Sequence, residues 1–279
     1  MAAVPTLRTS RGTSSRARKA AAPSRSSRGY LFGLLAGLSL FGVVALWALL
    51  VRLQIFSPYL LPSPADVVAA TLDMHAQGTL IEDAAASFRR ALSGFLLGST
   101  LAIITGSLTG RSRVARVLLE PTIQVIRPIP AIALVPLAIL WFGIGEESKL
   151  FLTTLGVFFP VWVNTHAGIS STRDDYLRVA ACLGAPRHQV FTSVVLPAAL
   201  PFILTGLRQG IAMSLILIVA SEQAGVTEGL GFRLDQARLF SQPDRLFACL
   251  IALGVVGALA DQLFYRGTHR LVRWAKEQS

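Results

Sequence analysis

Five polar residues in or at the end of apolar stretches of this chain are candidates for binding a charged molecule. They are Arg127, Asn164, His166, Arg208 and Glu222. Charged groups are costly at bilayer depth, so they are functional candidates by default. Arginine can hold an anion, while asparagine and histidine can donate hydrogen bonds to an oxyanion. Structural interpretations stay open beside these: snorkelling to water for the arginines, helix joining for Asn164 and His166, and a solvated helix end for Glu222.

The sequence contains no pattern typical of a catalytic or metal centre. It lacks a Gly-x-x-x-x-Gly-Lys-Ser/Thr phosphate loop, a nucleophile elbow, a His-Glu-x-x-His motif and a Cys/His cluster. Its two cysteines, Cys182 and Cys249, have no metal-ligand spacing. We therefore expect no enzyme activity, no cofactor and no metal, and any ATP hydrolysis must come from another subunit.

The composition is that of a membrane protein. Of the 279 residues, 53% are hydrophobic and 15% are charged, and the mean hydropathy is +0.58, values too apolar for a soluble domain. The net charge of +11 could indicate nucleic-acid binding, but the basic residues lie at the chain ends and in short links. We interpret them as topology signals in a chain surrounded by a lipid bilayer, with no nucleic-acid partner.

The hydropathy pattern predicts an all-α protein with six transmembrane helices. Each apolar stretch is close to the roughly 20 residues that a helix needs to cross a bilayer, and the stretches cover residues 30–51, 91–108, 121–142, 150–169, 201–221 and 246–264. A proline-rich extramembrane link follows the first span, so residues 30–84 precede a core domain at 85–265. Three prolines, Pro128, Pro130 and Pro136, interrupt the third span and predict either a gate or a fixed kink.

Basic residues indicate the orientation of the chain. Most of the 26 Lys and Arg lie in two tails, residues 1–29 and 266–279, and in the links after the second and fourth spans. The positive-inside rule then places both termini in the cytoplasm. The first tail has no acidic residue and is predicted to be disordered. Arg89 and Arg90 are exceptions near the outer side, which we expect to snorkel from a helix that starts before the membrane.

The link at residues 171–200 is predicted to form two short amphipathic helices. Thr172 or Asp174 can cap the first helix, and its apolar face is formed by Leu177, Ala180, Ala181 and Gly184. Gly184 ends that helix and Pro186 begins the second one. The second helix carries an apolar stripe before a predicted break at Leu196-Pro197. The stripe consists of Val190, Phe191, Val194 and Val195.

This link resembles the cytoplasmic coupling loop of ABC-importer permeases. That loop has the pattern Glu-Ala-Ala-x-x-x-Gly, nine residues, Ile-x-Leu-Pro, and here the chain reads Arg178-Val179-Ala180-Ala181-Cys182-Leu183-Gly184, nine residues, then Val194-Val195-Leu196-Pro197. Further segments are similar to permeases of the sulfonate, taurine and nitrate importer family. They include Leu61-Pro62-Ser63-Pro64, Ile126-Arg127-Pro128-Ile129-Pro130, Trp141-Phe142-Gly143-Ile144-Gly145-Glu146, Phe159-Pro160, Thr205-Gly206-Leu207-Arg208 and Gly229-Leu230-Gly231-Phe232.

The resemblance implies a type I importer permease fold in the inner membrane. It implies a homodimer, two copies of an ATP-binding cassette subunit and a periplasmic substrate-binding protein, with a small aliphatic sulfonate as the first candidate solute. Taurine, nitrate or a vitamin or pyrimidine precursor follow as alternatives. It also implies that a set of loop residues contacts the ATPase: Arg178, Val179, Ala180, Ala181, Leu183, Gly184, Ala185, Arg187 and His188.

The loop departs from the family pattern at its first position. Arg178 replaces a glutamate, so it would repel a basic residue on the ATPase. We therefore expect the partner to offer an acid or a carbonyl there. Two other classes of protein stay open: an ion-coupled secondary carrier, which would take up solute without an ATPase, and a membrane receptor or assembly factor, which would transport nothing.

Overall fold

The computed structural model describes residues 25–57 and 59–269, with side chains from residue 37 onward except Leu40 and Pro58. All regular structure in these residues is helical, as predicted. The helices are α1 (Arg25–Arg52), α2 (Pro64–Ala76), α3 (Thr79–Arg111), α4 (Arg113–Ile126), α5 (Val135–Phe142), α6 (Glu146–Ser170), α7 (Asp174–Cys182), α8 (Arg187–Val190), α9 (Leu196–Glu222), α10 (Leu230–Leu239) and α11 (Pro243–Thr268).

Both predicted tails lie mainly outside the described residues. Residues 1–24 and 270–279 are not described, so the predicted disorder of the first tail is not tested there. Helix α1 nevertheless begins at Arg25, inside the predicted tail, and covers the whole of the first predicted span.

The described residues contain four helices that are long and apolar enough to cross a membrane. These are α3, α6, the continuous helix from Arg187 to Glu222, and α11. A fifth span results if α4 and the helical segment Ala131–Phe142 are counted as one bent unit. The prediction of six spans is therefore confirmed in part. The described residues contain four or five candidate spans, and the apolar helix α1 covers the first predicted span.

The third predicted span is not one helix. Helix α4 ends at Ile126, a short 3₁₀ turn covers Ala131–Leu134, and α5 follows at an angle of 81° to α4. Pro128 and Pro130 lie in the break, and neither has an N–H to continue the helical bonding, although Arg127 before Pro128 still has helical backbone angles. Pro136 lies in the first turn of α5, where the missing N–H costs little.

Helices α3 and α6 run parallel and in close contact through a series of small residues on α3. Every fourth residue of α3 faces α6 and is buried: Gly94, Gly98, Ala102, Gly106 and Gly110. A methyl group added at Gly98 would lie 2.6 Å from the carbonyl oxygen of Thr154. Such small residues let two helix backbones approach closely, which is how helices associate where lipid removes the hydrophobic driving force.

Helix α9 runs antiparallel to these two helices and completes the core of the bundle. Gly206 and Gly210 on α9 lie against α6, where Cβ atoms would lie 2.8 Å from Asn164 and 3.1 Å from Val161. At the opposite end from the 171–200 loop, α2 buries Val67 and Met74 and packs against α11 and α3. The proline-rich link thus contains a packed helix, started by Ser63 in a capping box.

We expect the substitution Gly98→Ala to destabilise the protein by roughly 1–3 kcal/mol, the usual range for overpacking a core. The added methyl group meets backbone atoms of α6, which cannot rotate away. The measurement is the melting temperature of the detergent-purified chain, monitored by size-exclusion chromatography after heating.

Gly254→Ala in α11 is the matched control, because nothing lies within 4 Å of the methyl group it adds. It should unfold at the wild-type temperature or slightly above it. Equal melting temperatures for the two variants would contradict the close packing of α3 on α6.

Candidate functional site

A polar cleft lies where the break between α4 and α5 meets α6 and α9. Its volume is about 360 Å³, and Arg127, Asn164 and Gln209 supply its polar groups. The remaining lining is mostly apolar: Pro128, Ile129, Pro130, Ala131, Gly156, Phe159, Pro160, Val163 and Met213. Arg127 lies in the break between α4 and α5, Asn164 lies on α6, and Gln209 lies on α9. The break in the third predicted span therefore places Arg127 at the cleft.

The hydrogen bonds within the polar cleft leave the charge of Arg127 available. The side-chain amide of Asn164 donates to the carbonyl oxygen of Pro160 at 2.8 Å and to Oε1 of Gln209 at 3.1 Å. No residue in this lining is acidic, and the Arg127 side chain is exposed. A guanidinium beside the Nε2 group of Gln209 suits binding of a small anion, because both groups can donate hydrogen bonds to oxygen, whereas Asn164 uses its two N–H groups within the protein and orients Gln209.

His166, a predicted site residue, does not line the polar cleft. Its Nδ1 lies 3.0 Å from Oγ1 of Thr109 on α3, and its ring stacks on Trp162 with centroids 5.3 Å apart. The contact with Thr109 joins α6 to α3, so it supports the structural interpretation of His166 over a role in binding a solute.

Arg208 is also absent from the polar cleft. Its Nε and Nη2 both donate to the carboxylate of Asp261 on α11, each at 2.6 Å. Because this bidentate pair neutralises the arginine, it explains how a charged residue is accommodated in an apolar helix. Arg208 therefore joins α9 to α11, and the structure gives no support for snorkelling.

Glu222 lies in a buried ion-pair network, so the expectation of a solvated helix end is wrong. Its side chain is fully buried, accepts a hydrogen bond from Ser87 at 2.7 Å and pairs with Arg90 at 3.0 Å. Arg90 also pairs with Glu146 and Glu228, at 2.9 and 2.8 Å. The snorkelling prediction is wrong for Arg90 too, because its guanidinium turns toward three carboxylates of its own chain.

The glycine-containing turn after α9 closes this network. Gly229 has φ +117°, which favours glycine, and its N–H donates to Asp83 at 2.7 Å. The N–H of Gly231 donates to Glu222 at 3.0 Å. The backbone donors of this turn are thus used by the protein's own carboxylates. Sequence reasoning missed Asp83 as a site residue, because it lies eight residues before the second predicted span.

The 171–200 loop forms the first predicted helix and then differs from the prediction. Helix α7 ends before Gly184, which has φ +71°. Leu177 packs on the core and Ala180 is buried, as expected, but Ala181 and Gly184 are exposed and do not share the packed face. The stripe of Val190, Phe191, Val194 and Val195 is buried or half-buried, which confirms that part of the prediction.

The predicted break at Leu196-Pro197 is absent. Helix α8 continues through a π-helical turn, Phe191–Val195, directly into α9. The N–H of Leu196 bonds to the carbonyl of Phe191, five residues earlier. A π turn changes the helical bonding pattern locally, and the proline that follows occupies the first turn of α9, where its missing N–H is tolerated. The loop is thus joined rigidly to a membrane-spanning helix.

The outward surface of the loop contains charged and apolar residues together. Val179 and Leu183 are exposed, Leu183 to 80%, and Arg178 lies beside them. Arg173 donates to Asp175 at 3.0 Å, and that hydrogen bond raises the pKa of the Arg173 guanidinium. Ala185 is half-buried, whereas Arg187 and His188 line a second cavity toward α3. Exposed leucine and valine beside an arginine are typical of a protein-docking surface.

Comparison with known proteins decides the family. Residues 95–273 match the family of binding-protein-dependent transport system inner membrane components. The chain belongs to this family. This permease therefore shares its fold with membrane subunits of importers, and its long apolar helices are membrane spans.

Relatives of the permease carry transport names. A protein of Bacillus subtilis, provisionally named an aliphatic sulfonates transport permease, is 36% identical over 90% of each chain. The taurine transport system permease protein of Escherichia coli is 36% identical over 84% of this chain and 87% of its own. The formylaminopyrimidine transport permease protein of Halalkalibacterium halodurans is 34% identical over 85% and 94%, respectively.

We expect Arg90→Met to destabilise the permease by roughly 3–5 kcal/mol, because it leaves the buried carboxylate of Glu222 without its cation. Thermal unfolding in detergent measures the loss. Arg89→Met is the matched control, since Arg89 is the neighbouring residue and is exposed.

The double variant Arg90→Met with Glu222→Gln should recover part of the lost stability, because it removes the unpaired charge. Equal melting temperatures for Arg89→Met and Arg90→Met would show that the network does not hold this end of the bundle together.

Proposed function

We propose that this permease forms the translocation route for a small anionic solute in an ATP-driven importer, and that the solute is an aliphatic sulfonate. The observation that carries the proposal is the polar cleft, where Arg127 has no acidic neighbour in the lining. A sulfonate has three oxygens and one negative charge, which suit a guanidinium beside the amide donor of Gln209. The sulfonate and taurine names of two relatives support the same chemistry.

A second copy of the permease would complete this route. Helix α4 buries no residue in the single chain, and the exposed apolar side chains continue past the break into α5. They are Val125, Ile126, Ile129, Ile132, Leu140 and Trp141. A face of this kind beside the polar cleft favours a homodimer in which the two clefts line a shared path.

Energy would come from two ATP-binding cassette subunits that dock on the 171–200 loop. In the proposed orientation the loop and both termini are cytoplasmic, six spans cross the inner membrane, and a periplasmic binding protein delivers the solute at the Glu222 end. Residues 85–265 form the transporting core. The basic tails lie on the ATPase side of the membrane.

The continuous helix from Arg187 to Glu222 offers a direct mechanical link between ATPase and cleft. Arg187 lies at the docking loop, and Gln209 lies 22 residues further along the same helix, at the polar cleft. At 1.5 Å per residue the two are separated by about 33 Å. A displacement of the loop when ATP closes the ATPase dimer would therefore move one wall of the cleft, which is the requirement for alternating access.

A pyrimidine precursor is the second candidate solute. The formylaminopyrimidine permease aligns with this chain almost as well as the taurine permease does. Neutral heterocycles would use the amides of Asn164 and Gln209 more than the charge of Arg127. The two solute classes therefore differ in their dependence on the arginine.

We expect Arg127→Ala to lower sulfonate uptake roughly tenfold or more, because a hydrogen bond to a charged group contributes about 1.5–3 kcal/mol. The measurement is uptake of a short-chain alkanesulfonate into vesicles that hold the permease, its ATP-binding subunit and the binding protein. Basal ATP hydrolysis should stay at the wild-type rate.

Arg113→Ala is the matched control for loss of one exposed arginine, since Arg113 lies outside the cleft lining. Wild-type sulfonate uptake by Arg127→Ala would remove the cleft arginine from the route. Uptake driven by an ion gradient without any ATP-binding subunit would instead favour a secondary carrier.

We expect Leu183→Gln to weaken capture of the ATP-binding subunit about tenfold, because a leucine buried at an interface contributes roughly 1.5–3 kcal/mol. Affinity capture of the ATP-binding subunit by the tagged permease measures this. Leu239→Gln is the control, since Leu239 is 65% exposed on α10, at the other end of the bundle.

Arg178→Glu tests the charge of the same surface and should also reduce capture, because we propose an acid or a carbonyl opposite Arg178. Full capture by both loop variants would mean that the ATPase docks elsewhere.

A further inference from the structure

A basic cleft lies between the loop end of α3 and the start of the α8–α9 helix. Its volume is about 1060 Å³, and it shares no lining residue with the polar cleft. Arg111, Arg187 and His188 stand at its mouth, and Ser112 adds a hydroxyl. The cavity is large enough for a ligand, and its lining residues indicate which chemistry would fit it.

The charge of the basic cleft is uncompensated. No residue in its lining is acidic, and among the described side chains neither Arg111 nor Arg187 is recorded in an ion pair. Arg116, close in sequence, is used differently, because it donates to the carbonyls of Thr109 and Gly110 and so caps the end of α3. Two free guanidinium groups and an imidazole within one cavity favour a phosphate or another dense anion.

The wall beneath these basic groups is apolar. It is formed by Ile103, Ile104, Leu108, Phe191 and Leu196. Ile104 and Leu108 are 53% and 50% exposed although they lie in a membrane-spanning helix. From Arg111 to Ile104 the helix rises about 10 Å, at 1.5 Å per residue. The cleft thus presents cations at its mouth and a hydrocarbon surface directly below them.

We propose that the basic cleft binds an anionic phospholipid of the inner membrane. The headgroup phosphate is held by Arg111, Arg187 and His188, and one acyl chain lies along Ile104 and Leu108. Basic pockets between transmembrane helices are suited to anionic headgroups. The apolar wall below the basic residues can contact an acyl chain of a lipid, whereas a free phosphate has no apolar part that would contact it. The lipid then sits between α3 and the helix that carries the docking loop.

This assignment changes the role expected for two loop residues. Arg187 and His188 were expected to contact the ATPase, yet they line the cavity that faces α3. The docking surface is then limited to α7 and the turn after it. A lipid held at this point would stabilise the start of the α8–α9 helix. Because the basic cleft shares no lining residue with the polar cleft, the inference does not depend on which solute the permease carries.

Native mass spectrometry of the full-length permease in detergent tests the proposal. The chain is titrated with phosphatidylglycerol and with phosphatidylcholine of the same acyl chains, and we expect tighter retention of phosphatidylglycerol. Arg111→Gln should lower that retention about fivefold, since one basic residue near anionic lipid contributes about 1 kcal/mol. Arg187→Gln should have a similar effect from the other side of the cleft.

Arg113→Gln is the matched control, because Arg113 is an exposed arginine two residues from Arg111 and lies outside the lining. It should retain phosphatidylglycerol as the wild type does. Melting temperatures measured in phosphatidylcholine should be equal for all three variants, which separates loss of binding from loss of fold.

Three results would overturn the proposal. Equal retention of phosphatidylglycerol by wild type, Arg111→Gln and Arg187→Gln would show that the basic cleft does not hold the headgroup. Displacement of the bound lipid by glycerol phosphate at equal concentration would show an anion site that does not use the apolar wall. If Arg111→Gln loses capture of the ATP-binding subunit while its lipid retention is unchanged, the cleft is a protein-docking surface and the lipid assignment is wrong.

Discussion

The close approach of α3 to α6 is the constraint on which the other features of the permease depend. Gly94, Gly98, Gly106 and Gly110 remove side-chain volume along one line, so that atoms of α6 occupy the space that Cβ atoms would fill. These are side-chain atoms of Thr153, Thr165 and Ile169 and the carbonyl oxygen of Thr154. Dispersion contacts between backbones then replace the hydrophobic effect, which is weak between helices in lipid. Two parallel helices held at this distance form a rigid wall, against which α9 packs through its own glycines.

This rigid pair of helices also determines which polar residues meet. Because α3 and α6 are parallel and in fixed register, Arg90 and Glu146 come to the same end, where α9 delivers Glu222. The desolvation cost of a fully buried carboxylate is offset there by one cation and two hydrogen bonds. At mid-helix, Arg208 is neutralised by Asp261. The charge of Arg127 is left for a ligand because the proline break carries it to a lining without acids.

The π turn before α9 links the two ends of the proposed mechanism. A sequence containing Leu196-Pro197 invites a prediction of a break, since proline removes a helical donor. Here the preceding residues adopt a wider turn, and the proline falls in the first turn of the helix that follows. The chain therefore passes from docking loop to cleft without a hinge. Movement of the loop is then transmitted along one helix and is not absorbed at a flexible joint.

The sequence by itself determined the helical class, the approximate position of the long apolar helices and the family, because apolar length and motif spacing are local properties. It also indicated Arg127 and Arg208 as charges that cost energy in a membrane, but not Asp261, the partner of Arg208. The regular spacing of glycines on α3 is visible in the sequence, but the sequence does not show that α6 is the helix that packs against them.

Only the tertiary structure decided which role each polar residue has. Arg127, Arg208 and Glu222 look alike along the chain, since each is a charge beside apolar neighbours. Their roles depend on partners 132 residues away for Glu222 and 53 residues away for Arg208, and on the absence of acids around Arg127. A sequence pattern reports the cost of placing a charge in lipid, but the compensation comes from residues that only folding brings within hydrogen-bonding distance.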